Sequence, residues 1–116
     1  MISYDDIKVV FTQTGGGWGC CHDLFVVTKG GDVYYSDDLD ADILNLPFDF
    51  TIPEDKLAGL DFEKITNAFG FDHPEVTMYK VVDGKLKELY RVDSCRTPAV
   101  ETLGELRFWA HEKDKS

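Results

Sequence analysis

The chain lacks any apolar run approaching the roughly 20 residues that a membrane-spanning helix needs, which argues against a membrane protein. Its first residues, MISYDDIK, hold neither a basic region nor an apolar stretch, so no secretory signal is expected. Cysteine is scarce and odd in number: three residues, two of them adjacent, make a poor disulfide framework and fit a reducing, cytoplasmic setting. Positive charge is also short. Twelve bases face 22 acids, a net charge of −10. Nucleic acids and anionic membranes are bound through clustered Lys and Arg, so neither is an expected partner.

The negative charge is concentrated. Residues 37–75 hold eleven acids against Lys56 and Lys64, a local −9, whereas residues 1–36 carry −2 and residues 76–116 carry +1. Such a segment suits either plain solubility or the steering of a basic partner. Apolar and aromatic residues make up 43% and 13% of the 116 residues, enough for the core of one domain spanning 1–116 that needs no metal or disulfide.

Residues 7–12, 24–28 and 33–35 are β-branched and aromatic and read as strands. Gly30-Gly31 between the last two is a hairpin turn, since glycine tolerates positive φ. Ser36-Asp37-Asp38 reads as a helix start, with Leu39, Ile43 and Leu46 on one buried face and Pro47 as the stop. The stretch FDFTI is ambiguous between strand and loop. Pro53 suits the first position of a short helix ended by Gly59. Asp61 would cap a further helix over 62–69, with Leu60 and Ile65 as its hydrophobic staple and Gly70 as its stop. Strands 76–82 and 85–92 flank Asp83-Gly84, the sequence of a tight type I′ turn. Strict alternation puts Leu86 and Tyr90 on one face. A last helix over 97–111 would bury Val100, Leu103, Leu106 and Ala110, with a strand at LRFWA as the competing reading. This order predicts an α+β fold: a mostly antiparallel sheet of about five strands built from hairpins, short helices between them, and a C-terminal helix.

The segment TGGGWGCCHD, residues 14–23, invites several chemistries. As a phosphate cradle it lacks the lysine and spacing of a nucleotide loop, for no base occurs between Lys8 and Lys29. As a metal site, Cys20 and His22 could share a strand face with Cys95 or His73 arriving from afar, but the adjacent Cys20 and Cys21 point to opposite faces. As a nucleophile, Cys20 or Cys21 has no neighbouring cation to lower its pKa. The alternating Asp38, Asp40 and Asp42, with Asp49 at position 12, echo a calcium loop, yet Ile43 occupies the position that needs glycine. No carboxylate pair is singled out for acid–base work. What is left is a glycine-rich connection carrying Trp18, as a lid on the core or an anchor for a partner.

The expected function is therefore a small acidic cytoplasmic inhibitor that binds a basic protein. Toxin-neutralising immunity proteins and phage inhibitors of bacterial defence nucleases share this profile of size and charge. The expected contact residues are Asp37, Asp38, Asp40, Asp42, Asp49, Glu54, Asp55 and Trp18. No catalytic group, metal or cofactor is expected. The alternative is a small-molecule binder or enzyme using the glycine loop 15–19, Trp18 and the nearby Cys and His residues. The oligomeric state is not legible.

Overall fold

A computed structural model describes residues 2–14, 22–67, 75–92 and 95–114. The fold is α+β. A short 3-10 helix (Tyr4–Asp6) leads into β1 (Ile7–Thr14), β2 (His22–Thr28), β3 (Asp32–Ser36) and β4 (Phe48–Thr51). Helix α1 (Glu54–Ala58), β5 (Thr66–Asn67), β6 (Glu75–Val82), β7 (Lys85–Val92), β8 (Cys95–Arg96) and α2 (Pro98–Asp114) follow. Six strands form one antiparallel sheet in the order β4-β3-β2-β1-β6-β7, and β5 pairs with β8 apart from it.

Both faces of this sheet are covered. On the first, Val9, Phe11, Phe25, Val33, Phe50 and Met78 meet Ala99, Val100 and Leu103 of α2. On the second, Ile7, Val10, Leu24 and Val26 meet Leu46, with Leu39, Ala41, Ile43 and Leu44 packed against them. The sheet is thus sandwiched between α2 and the irregular segment 37–46. Continuous apolar runs such as Leu24–Val27 follow from this, because every side chain in them is buried.

Three local irregularities reset which way side chains point. Each inserts one extra residue against its partner strand, which reverses the alternation beyond it. In β1, Ile7 and Val9 face Thr28 and Val27, leaving Lys8 extra. Lys8 consequently shares the first face with Val9, its ammonium 5.6 Å from the centre of the Phe62 ring. In β4, Phe48 and Phe50 face Tyr34 and Val33, leaving Asp49 extra. In β7, Glu88 and Tyr90 face Tyr79 and Met78, leaving Leu89 extra. Leu86 therefore joins the second face and Tyr90 the first, not one common face as strict alternation implied.

Most expected elements form. The Asp83-Gly84 turn has φ of 54° and 76° at its two central residues, as a type I′ turn requires. In the other hairpin only Gly31 has positive φ, 95°. It is also crowded, since a Cβ there would lie 3.2 Å from the Ile52 carbonyl oxygen and from Leu57 Cδ2. Helix α1 fits the Pro53–Gly59 reading, and α2 excludes a strand at LRFWA. FDFTI resolves as β4, the sixth strand of the sheet.

Two expected helices do not form. Residues 37–46 make two successive turns instead, closed by Ala41 N–H to Asp38 O and Asn45 N–H to Asp42 O. Aspartate side chains compete for backbone donors and favour such turns over helix. Asp38 accepts from the Asp40 N–H at 2.9 Å, and Asp42 from the Leu44 N–H at 3.0 Å. Ser36 accepts from the Asp38 N–H instead of capping a helix. The apolar positions still reach the sheet, so the burial was legible and the conformation was not. Likewise 62–67 is a turn followed by β5, with Asp61 accepting from the Glu63 N–H, and Ile65 is exposed. Residues 68–70, the rest of that expected helix, lie outside the described residues.

Candidate functional site

The turns at 37–46 alternate apolar and acidic residues. With Leu39, Ala41 and Ile43 held against the sheet, Asp37, Asp38, Asp40 and Asp42 project outward and are exposed. This is an acidic ridge on a pinned base. Two of its carboxylates are oriented by the same hydrogen bonds that make the turns. The Leu44 N–H, and then the Asn45 side-chain amide at 2.7 Å, hold the Asp42 carboxyl below the usual carboxylate range. Beside the ridge, Phe48 leaves 57% of its surface exposed. Its ring meets Tyr34 edge-on, with centroids 5.9 Å apart.

The remaining expected contact residues are distributed differently. Glu54 and Asp55 lie in the first turn of α1, exposed. That helix docks through Leu57 on the first face of the sheet, whereas the ridge lies over the second. Asp49 does not join the ridge: its side chain is turned inward and only 9% exposed. As the extra residue of β4 it points toward α2, the same side as Phe50. Trp18, Cys20, Cys21 and His73 lie outside the described residues. His22 is exposed at the start of β2, and Cys95 is described through its main-chain pairing with Asn67.

Asp49 is the centre of a clamp between the edge strand and the helix. One carboxylate oxygen accepts from Arg107 Nε at 2.8 Å, and the other lies 3.0 Å from His111 Nε2. Arg107 and His111 are four residues apart, hence on one face of α2. The guanidinium carbon of Arg107 also sits 4.1 Å from the centre of the Tyr35 ring, a cation–π contact. Tyr35 in turn donates its hydroxyl proton to Asp23 at 2.5 Å. An aspartate beside a histidine can orient a general base, but here the same carboxylate is shared with an arginine. The arrangement ties α2 to β4 and β3. The signals that could have revealed it were the spacing of Arg107 and His111 and a lone aspartate between the two aromatics of a strand.

Burial, and then donation to Asp23, pushes the Tyr35 phenol up to about 12. Burial, with the charges of Asp61 and Glu63, does the same for Tyr90, whose hydroxyl donates to the Phe62 carbonyl at 3.1 Å. A raised folded-state value stabilises the fold below the unfolded value near 10 and is lost as pH rises toward 12. Stability should therefore decline across that window. In a titration followed by ultraviolet absorbance, Tyr35→Phe and Tyr90→Phe should each remove one phenol from the late-ionising amplitude. Unchanged late amplitude in either variant would contradict these environments.

Among the described residues, no group of three or more His, Cys, Asp or Glu side chains is placed to hold a metal ion, and no helix is long and apolar enough to cross a membrane. Comparison of the chain with protein-family models, with curated proteins and with solved structures finds no match.

Proposed function

We propose that this protein is a small inhibitor that binds a basic protein partner through the ridge Asp37, Asp38, Asp40 and Asp42, with Phe48 as its apolar anchor. The observation that carries the reading is the ridge itself: exposed carboxylates, two of them pre-oriented, on turns whose apolar side chains are locked against the sheet. Pre-orientation lowers the entropy lost when the carboxylates meet Lys or Arg. The net charge of −10 accelerates encounter with a cationic surface, and Glu54 and Asp55 contribute to that field from outside the contact. A partner that normally binds nucleic acid fits best, because a row of carboxylates can take the place of phosphates. The scarcity of cysteine goes with a cytoplasmic setting for this encounter.

The test separates rate from anchorage. Asparagine retains the side-chain oxygen that closes each turn, so the variant with Asp37, Asp38, Asp40 and Asp42 all changed to Asn should fold as the parent does. Basic proteins retained from host lysate at low salt and eluted at high salt supply the partner. Against that purified partner, the Asn variant should associate at least about tenfold more slowly, with little salt dependence. Phe48→Ala should instead speed dissociation. Equal association rates for the parent and the Asn variant would remove the ridge from the function.

A further inference from the structure

Residues 1–36 contain only two bases, Lys8 and Lys29, and both line the same cleft. Two structural devices bring them there. The extra residue in β1 turns Lys8 onto the first face of the sheet. The hydrogen bond from the Lys29 N–H to the Asp6 carbonyl, 2.9 Å, pins the β2–β3 turn beside the start of β1. Lys80 reaches the cleft from β6, and its ammonium is paired with Glu63. Among the described residues neither Lys8 nor Lys29 has an ion-pair partner.

The cleft is about 420 Å³, within the range of small-molecule sites. Ile7, Val9, Leu60, Phe62 and Val81 supply its apolar wall. Phe62 is held from behind, its carbonyl accepting the Tyr90 hydroxyl and its ring centre 5.7 Å from that of Phe11 at a tilt of 39°. Asp61 and Glu63 also line the cleft. Glu63 is neutralised by Lys80, and Asp61 accepts from the Glu63 N–H.

We infer that this cleft binds a small monocarboxylate with an apolar tail, the tail against the partly exposed Leu60 and Val81 and the carboxylate between Lys8 and Lys29. The apolar wall disfavours inorganic anions, which would lose hydration without gaining enough hydrogen bonds. The rim acids disfavour multiply charged ones. A cationic amphiphile would meet three lysines, Lys8, Lys29 and Lys80, against the two carboxylates of Asp61 and Glu63, a lining of net positive charge.

The experiment is amide chemical-shift titration of the intact chain with octanoate below its micelle concentration, with octylammonium and inorganic phosphate as parallel ligands. Octanoate should give saturable shifts centred on residues 7–9, 60–63 and 80–81, and phosphate and octylammonium should not. The double variant Lys8→Gln, Lys29→Gln changes only exposed side chains and should bind octanoate about tenfold more weakly. Non-saturable shifts, shifts centred elsewhere, equal binding of octylammonium or phosphate, or undiminished octanoate binding by the double variant would each overturn the assignment. None of these outcomes bears on the acidic ridge, none of whose residues lines the cleft.

Discussion

Leu103→Ala should destabilise the protein by about 3 kcal/mol, within the range of about 2–5 kcal/mol for a buried leucine cut back to alanine. Leu103 is completely enclosed, between Val100 and the sheet residues of the first layer. Its loss removes apolar contact and leaves a cavity that a six-stranded sheet with bulky neighbours cannot close. For a domain of this size the midpoint of thermal unfolding should fall by about 12 °C. The control lies on the same helix. Phe108 and Trp109 are 62% and 64% exposed, in edge-on contact with each other. Phe108→Ala and Trp109→Ala should each change stability by less than about 0.5 kcal/mol. Urea unfolding of the three variants checks the orientation of α2. Equal losses at 103 and 108 would mean that the helix is rotated from the one described.

Asp49→Ala should cost about 2 kcal/mol, far more than any ridge aspartate. The carboxylate is nearly enclosed and takes two hydrogen bonds, from Arg107 and His111, and a hydrogen bond to a charged group is worth about 1.5–3 kcal/mol. Arg107 and His111 are 35% and 43% exposed, so water recovers part of the loss. Asp40→Asn, at an exposed position, should have almost no effect on stability. A double-mutant cycle of Asp49→Ala with Arg107→Ala should return a coupling of about 1 kcal/mol. Zero coupling would show that the clamp does not hold α2 to β4. The contrast separates an aspartate that holds the protein together from the exposed aspartates of the ridge, a distinction that composition does not make.

How much could be read beforehand depended on the range of the interaction. The hairpin around Asp83-Gly84 was legible because the turn chemistry is local. Helix α2 was legible because its stripe at 100, 103, 106 and 110 repeats at helical spacing. The ridge was legible as acidity and as buried leucines and isoleucine, though not as turns. There the helical spacing of Leu39, Ile43 and Leu46 competed with aspartates that capture backbone N–H groups every four residues, and the aspartates won. The exposure of Phe48 was not legible. Nothing in F-D-F indicates which of its aromatics faces the solvent.

Read alone, the chain determined the α+β class, the hairpins, the terminal helix and the place where negative charge collects, since each follows from neighbours within a few residues. Tertiary structure decided the facing of Lys8, Asp49 and Tyr90. A single unpaired residue in a strand reverses everything beyond it, and its position is chosen by what lies across the sheet. Phe62 over Lys8 and the Arg107–His111 pair over Asp49 are both distant in sequence. The same amino acids in an unbroken register would have left Asp49 on the ridge side and Lys8 outside the cleft.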